Sequence, residues 1–334
     1  MNLDEIFTVK TANEWLQESK GRPIPKMLFG EFWLEGEVSI LFADTGKGKS
    51  ILAVHIAESI ARGRGIEPMV NTAPAQTVLY LDFELTAKQF EMRYSADPDP
   101  AAKDGFLHRH YKFSPKFCRV EINLHAKLPD GFASFDDYLH TSIEMLLQQT
   151  QAKILIVDNV TYLKRSNETT REALPLMKEL KRLNKKLGIS ILVLAHTPKR
   201  LMHRPITIND LQGSKVLSNF ADNIFAIGES RRLGGERYVK QIKQRSTELM
   251  YNSAHVPVFD IRKIDGNFLG FQFYGYERES ALLLDGHDLR EWESIEKIGK
   301  MAAQGMSLRE IAESLALPKS TVHRKVHMFQ QRGR

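Results

Sequence analysis

The sequence holds one cysteine, Cys118, in 334 residues. A single thiol excludes an internal disulfide and a cysteine-built zinc cluster, and it suits a reducing cytosol. No apolar run is long enough to span a bilayer. The early Asp4 and Glu5 do not read as a secretory leader. The expectation is a cytoplasmic protein with no membrane partner. Internal repeats and low-complexity tracts are lacking as well. Acidic residues are the scarcer charge: 41 Asp and Glu against 47 Lys and Arg leave a net charge of +6. That balance permits a polyanionic partner without requiring one, because solvated surface lysines give the same figure. A hydrophobic content of 42% and a charged content of 26% describe a globular chain with a sizeable core. The length leaves room for one large α/β domain and a small appendage.

What is present starts with Ala43-Asp44-Thr45-Gly46-Lys47-Gly48-Lys49-Ser50. The apolar run Val38 to Phe42 precedes it, and an apolar-periodic segment from Ile51 to Ala61 follows, closed by Arg62-Gly63. Strand, glycine-bearing loop and helix in that order are the setting of a phosphate loop. The glycines let backbone N–H groups converge on a phosphate at a helix N-terminus, which already favours an anion. Lys49 would reach the β- and γ-phosphates, and the Ser50 hydroxyl would hold Mg²⁺. The expected cofactors are therefore ATP and Mg²⁺, with residues Ala43 to Ile51 around the phosphates. Ala43 stands where the pattern G-x-x-x-x-G-K-[ST] has its first glycine, which costs little if that residue is extended. A glycine-rich turn with no ligand is the alternative.

Along the rest of the chain, buried strands alternate with helices. A short helix is expected around Ala12 to Glu18, then an extended lead-in through Pro23 and Pro25. Thr77 to Phe83 reads as a second strand, followed by a helix from about Ala87 to Tyr94. Asp97 to Phe132 reads as an irregular connection with one or two strands. A helix near Phe135 to Gln149 leads into a strand at Lys153 to Asp158. Pro175 to Leu187 is an amphipathic helix stopped by Gly188, and a fourth strand covers Ile189 to Leu194. Such alternation implies a parallel sheet with right-handed crossovers. Beyond Phe220 the pattern becomes strands joined by turns: Asn223 to Ile227, Tyr238 to Ile242, Val256 to Ile261 and Phe268 to Tyr274. Asp265-Gly266-Asn267 is a hairpin signal between the last two. Tyr276 to Asp288 reads as a polar linker, and Leu289 to Arg334 as a separate helical unit. The expected divisions are 1–35 lead-in, 36–275 ATPase core, 276–288 linker and 289–334 tail.

Three carboxylate and histidine positions complete the pattern. Asp158 ends a run of aliphatics, where a metal-holding aspartate is expected. Glu84, just past the second strand, is a candidate general base; a glutamate satisfying a helix N-terminus is the alternative. Leu81-Asp82-Phe83-Glu84-Leu85-Thr86, with Arg93 nine residues after Glu84, resembles the RecA-like hexameric helicases of the DnaB superfamily. That resemblance implies a RecA-like P-loop core with an antiparallel hairpin extension. It makes Glu84 the catalytic base and puts Arg93 in the same nucleotide site. Ile154 to Asp158 is similar to the family's metal-binding strand. Leu194-Ala195-His196-Thr197 sits where the family places a γ-phosphate sensor, and its His-Thr ending resembles the plasmid-encoded RepA-type helicases. Lys240-Gln241-Ile242-Lys243-Gln244-Arg245 resembles the family's late Lys-Gln-Arg strand, which implies that Lys243 and Arg245 act on a neighbour's γ-phosphate. The bland alternative is an exposed basic strand face. The resemblance covers roughly residues 30–275 and lacks the large N-terminal domain of the replicative enzymes.

Nucleic acid has two candidate places. Lys164 and Arg165 lie after Asp158, and Lys199, Arg200 and Arg204 lie after His196. By resemblance these loops would line a ring's pore and hold a single strand by its phosphates. In the tail, Ser307-Leu308-Arg309-Glu310 is a capping box, Ile311, Ala312 and Leu315 form an apolar face, and Leu317-Pro318-Lys319 supplies a turn. Ser320-Thr321 is expected to cap a second helix that buries Val322 and Val326, with Trp292, Ile295 and Ile298 from a preceding helix completing the core. This resembles a helix-turn-helix, with Ala316 where glycine is usual. Lys319, Ser320, Thr321, His323 and Arg324 would face a major groove. From Ser314 to Arg334 there are five Lys and Arg and no Asp or Glu. A helix-turn-helix used for protein contacts is the alternative. The whole reads as an ATP-driven, ring-forming motor acting on DNA, hexameric by resemblance and belonging to a plasmid, phage or other mobile element. Two rivals stand beside it: a DNA-binding regulator whose ATP site controls oligomerisation, and a recombinase-like filament.

Overall fold

Buried aliphatic strands separated by amphipathic helices can bury their surface only in layers, and that is the arrangement found. The computed structural model describes residues 8–97, 110–123, 126–159, 173–197, 204–212, 214–231, 235–283 and 286–332. The chain opens with α1 (Ala12–Lys20), a capping box joining Thr11 and Glu14, and none of its residues is buried. A small ribbon, β1 (Met27–Phe29) with β2 (Trp33–Leu34), leads into β3 (Val38–Ala43), the phosphate-loop strand. Next come α2 (Lys49–Arg62), β4 (Val78–Asp82), α3 (Ala87–Arg93), β5 (Phe117–Val120), α4 (Phe135–Thr150), β6 (Ile154–Asp158), α5 (Ala173–Leu187) and β7 (Ser190–His196). A 3₁₀ turn at Ile208–Asp210 and α6 (Ser214–Phe220) precede β8 (Asn223–Glu229), β9 (Arg237–Lys243), β10 (Val256–Ile264) and β11 (Phe268–Glu277). The tail is α7 (Glu279–Leu282), α8 (Gly286–Ala303), α9 (Leu308–Ser314) and α10 (Lys319–Arg332).

Among the described residues, nine strands form one sheet in the order β11-β10-β9-β8-β3-β7-β6-β4-β5. Strands β8, β3, β7, β6, β4 and β5 run parallel, and β9, β10 and β11 add an antiparallel extension. Strands β3, β4 and β6 are buried at every residue, as parallel strands covered on both faces must be. Alternation sends successive side chains to opposite layers. Leu41 and Ile156 join the core under α2, while Ile40 and Leu155 join the core under α4 and α5. Helix α2 is buried nearly all round, and Gly63 (φ 66°) ends it in the left-handed conformation that favours glycine. Asp265 (φ 51°) and Gly266 (φ 82°) make the tight turn between β10 and β11. No helix among the described residues is long and apolar enough to cross a membrane.

Two expectations need correction here. Within the stretch read as a linker, 276–288, the part around Glu279 is not a free tether. β11 runs through Glu277, and Glu279 is fully buried, accepting from Lys240 Nζ (2.6 Å), Ser253 Oγ (2.7 Å), Ile206 N–H (2.8 Å) and Tyr238 OH (3.1 Å). A buried carboxylate is held only when paired and hydrogen-bonded, so this lead-in is pinned to the sheet. Ser320 and Thr321 do not cap α10: the helix already starts at Lys319, and Thr321 N–H bonds to Pro318 O at 2.9 Å. The Ser307–Glu310 capping box is present. Ile298, Ile311 and Val322 form a small core of their own. Gly299 lets α8 and α10 close, since a Cβ there would lie 2.1 Å from the Phe329 ring. The side chain of Trp292 lies outside the described residues.

Candidate functional site

The carboxyl ends of β3, β7, β6 and β4 come together at one edge of the sheet, because these four strands are parallel neighbours. Ala43 is the last residue of β3 and is extended, so a methyl group is tolerated where the pattern has glycine. Asp44 to Gly48 form the loop, with Gly46 at φ 75° and Gly48 at φ 98°. Gly48 is required twice over: its φ favours glycine, and a Cβ would sit 2.7 Å from Ile261 Cδ1 and 3.1 Å from Phe271 of the hairpin. Helix α2 starts at Lys49 with no side-chain cap, leaving its first N–H groups for an anion. Lys49 Nζ donates to Ala43 O (2.9 Å) and Asp44 O (3.2 Å). Burial lowers the Lys49 pKa, and Glu84, Asp158 and Asp44 oppose that. Lys47 pairs with Glu229 at the end of β8.

Thr45, Gly46, Gly48, Lys49, Ser50, Ile51, Glu84, Arg93 and His196 line one cleft of about 150 Å³. Residues scattered over some 150 positions therefore meet in one place. Arg93 Nη1 and His196 Nδ1 are buried in it with no hydrogen-bond partner. Buried polar nitrogens of that kind are costly unless a ligand satisfies them, and the Arg93 guanidinium, a donor in any state, fits a polyanion. Glu84 Oε1 accepts from Asn159 Nδ2, and His196 Nε2 lies 3.4 Å away. The His196 ring, with Lys49 and Asn159, outweighs burial and holds the Glu84 carboxyl below the usual range. It is ionised at neutral pH, as a base must be.

Asp158 is fully buried and its pKa is pushed up to about 6 by burial, against favourable contacts from Tyr80 and Ser50. Tyr80 OH donates to Oδ2 at 2.6 Å, while Oδ1 has no hydrogen-bond partner. Among the described residues no cluster of three His, Cys, Asp or Glu side chains could cage a metal. One carboxylate with an orphaned oxygen, beside a serine hydroxyl, instead fits Mg²⁺, which keeps waters and binds through phosphates.

Several functional neighbours carry no signal in the sequence. Asp82 Oδ1 accepts the N–H groups of Glu84 (3.1 Å) and Leu85 (2.9 Å), and its Oδ2 pairs with Arg119 Nε at 2.7 Å, so the turn bearing Glu84 is fixed. Tyr80, Asn159 and Arg119 matter through strand adjacency, which no local motif records.

Lys243 and Arg245 are not brought to this cleft. Lys243 pairs with Ile224, which pairs with Ile40 near the start of β3, so it lies at the opposite edge of the sheet. The strand ends at Lys243 and Arg245 lies beyond β9, so the alternative of one exposed basic strand face does not describe the pair. Lys243 Nζ donates to Ser218 O (2.5 Å) and Ala221 O (2.8 Å), and Arg245 meets Asp222 at 3.2 Å with its side chain half exposed. The loop candidates Lys164, Arg165, Lys199 and Arg200 lie outside the described residues; Arg204 is described and exposed. On α10, Lys319, Ser320, His323 and Arg324 are exposed and Thr321 is half-buried. Arg324 stands 3.8 Å from Glu291.

Comparison with known proteins follows the same division. The AAA domain family matches residues 7–202, more than half of the chain. The IclR helix-turn-helix domain matches residues 301–333. No curated protein matches. Among solved structures, the KaiC-like protein of the hyperthermophilic archaeon Pyrococcus horikoshii OT3 superposes with a TM-score of 0.50 at 16% identity, covering 76% of this chain and 99% of that one. At that identity the likeness is one of fold.

Proposed function

The chain belongs to the AAA domain family, and from that premise we propose that it hydrolyses ATP to drive work on DNA, as a ring with nucleotides at its subunit boundaries. The fold is that of a RecA-like P-loop ATPase with a helix-turn-helix tail. One observation carries the proposal: Lys49, Ser50, Glu84, Arg93 and His196 line a single cleft, and Ser50 hydrogen-bonds to the buried Asp158. Lys49 and the N–H groups of the phosphate loop would hold the β- and γ-phosphates. Ser50 and Asp158 would hold Mg²⁺, which when bound neutralises phosphate charge. Glu84 would take a proton from water, and Arg93 and His196 would meet the terminal phosphate. Lys243 and Arg245 face away from their own cleft, the disposition a residue acting on another copy needs. The tail would grip duplex DNA through Lys319, Ser320, Thr321, His323 and Arg324, and Lys199, Arg200 and Arg204 would touch a single strand. The His-Thr ending of β7 supports the assignment to a plasmid, phage or other mobile element, working as a hexameric helicase.

The match of the tail to the IclR helix-turn-helix domain favours one rival, a DNA-binding regulator whose ATP site sets oligomeric state. The separating experiment measures ATP hydrolysis with and without single-stranded DNA, together with displacement of a strand from a forked duplex. The motor reading expects both activities and their loss in Lys49→Ala. Hydrolysis without displacement, with ATP changing the oligomer, would leave the regulator.

A further inference from the structure

At the edge of the sheet away from the nucleotide cleft, the start of β3, the end of α6 and the end of β9 come together around Asp222. Asp222 N–H bonds to Val38 O at 2.7 Å, and its Oδ2 accepts from Val38 N–H (2.9 Å) and Lys181 Nζ (2.6 Å). That oxygen serves the fold and fixes the carboxylate, leaving Oδ1 for Arg245 Nη1 at 3.2 Å. Arg245 Nη2 donates to Asn219 O at 3.3 Å, one of the carbonyls at the end of α6. The chain on either side of Arg245 is anchored as well. Gln244 Nε2 donates to Glu31 O and to Thr247 Oγ1 (2.9 Å), and Ser246 Oγ donates to the Glu37 carboxylate. The arginine side chain held in this way is still half exposed.

We propose that Asp222 is a positioning residue for Arg245, seating its guanidinium at the face a second copy meets so that the fork is already ordered when that copy's terminal phosphate arrives. The inference rests on the reading of Lys243 and Arg245 as acting on a neighbour's γ-phosphate. A free arginine loses its rotamer freedom as it engages a phosphate, whereas one seated beforehand has lost it in folding. A guanidinium carries five N–H donors. The contacts to Asp222 and Asn219 use two of them, so the seat leaves donors for an oxyanion. An ordinary surface pair joins two mobile side chains and holds neither firmly. Here the acidic partner is locked to β3 and to Lys181 of α5, so the pair has one rigid member.

The test is steady-state ATP hydrolysis by the full-length chain carrying Asp222→Asn, alone and in mixtures under conditions where subunits exchange. The amide can keep an oxygen for Val38 N–H and Lys181 while turning an NH₂ toward Arg245. Asp222→Ser, whose hydroxyl can accept from Val38 N–H, is the second variant. Each should lower kcat on the order of tenfold to a hundredfold, the factor carried by one charge-assisted hydrogen bond. KM for ATP should not change, because each variant's own cleft is intact. Mixed with Lys49→Ala, either variant should exceed the summed activity of the two parents, since an intact cleft then meets a seated arginine. Mixed with Arg245→Ala, neither should exceed the Asp222 variant alone. Damage to the fold would spoil the variant's own cleft and give no recovery with Lys49→Ala. Parental kcat in both variants, or no recovery with Lys49→Ala where Arg245→Ala does recover, would overturn the proposal. Failure of Arg245→Ala itself to recover with Lys49→Ala sinks the reading of Arg245 as a finger, and the seat with it.

Discussion

At the scale of single residues, burial and charge decide what the cleft can do. Asp158 has its pKa raised from 3.8 to about 6. Between those values the folded state binds a proton that the unfolded chain has released, so stability falls as pH rises through the window. Above it, holding the ionised carboxylate costs roughly 3 kcal/mol. Asp158→Asn should therefore raise the melting temperature of the nucleotide-free protein by a few degrees at pH 7.5, with little gain at pH 4, while abolishing the added stabilisation from Mg²⁺ with nucleotide. Thermal unfolding across a pH series checks this, and an unchanged or lower melting temperature at pH 7.5 contradicts it. That Lys49, Ser50, Glu84 and Asp158 come together at neighbouring strand ends was legible from the order of their motifs along the chain. Asn159 and Tyr80 were not, since their importance appears only when β4, β6 and β7 lie side by side.

At the scale of elements, two glycine-favouring positions carry opposite residues. Gly48 joins the phosphate loop to the hairpin, and Gly48→Ala places a methyl against Ile261 in a left-handed backbone. The expected result is a loss of about 1–2 kcal/mol in stability together with weakened nucleotide binding, measured by denaturant unfolding and fluorescent-nucleotide titration. Ala316, between α9 and α10, has φ 50°. Replacing it with glycine removes that strain, and Ala316→Gly should stabilise the tail by up to about 1 kcal/mol. Unfolding followed in the isolated helical signal of the tail would show no gain if the turn relaxes otherwise. Helices and strands were readable from apolar periodicity at this scale. The lead-in at Glu279 was not, because a polar stretch looks like linker until Lys240, Ser253 and Tyr238 supply its partners. The start of α10 was misjudged for a related reason: Pro318 begins the turn ahead of the two hydroxyl residues.

At the scale of the whole molecule, the sequence order of motifs was enough for the fold, since each strand of a parallel sheet ends where a motif is needed. The tail has its own core of Ile298, Ile311 and Val322. Ending the chain before α8 should leave ATP binding intact and reduce duplex affinity, with a weaker salt dependence once the basic helix is gone. Duplex binding by both forms over a salt series checks this, and equal affinities would make the tail a protein-contact module. The claim that reaches furthest is that one copy completes the site of another. Neither Lys243 nor Arg245 reaches its own cleft, so Arg245→Ala should bind ATP yet lose about three to five orders of magnitude in hydrolysis if it is a finger. The most direct measurement mixes Arg245→Ala with Lys49→Ala subunits under conditions where subunits demonstrably exchange, and follows ATP hydrolysis. Shared sites require recovery of activity, because some boundaries then pair an intact Lys49 with an intact Arg245; hydrolysis no greater than the sum of the two inactive parents would contradict them.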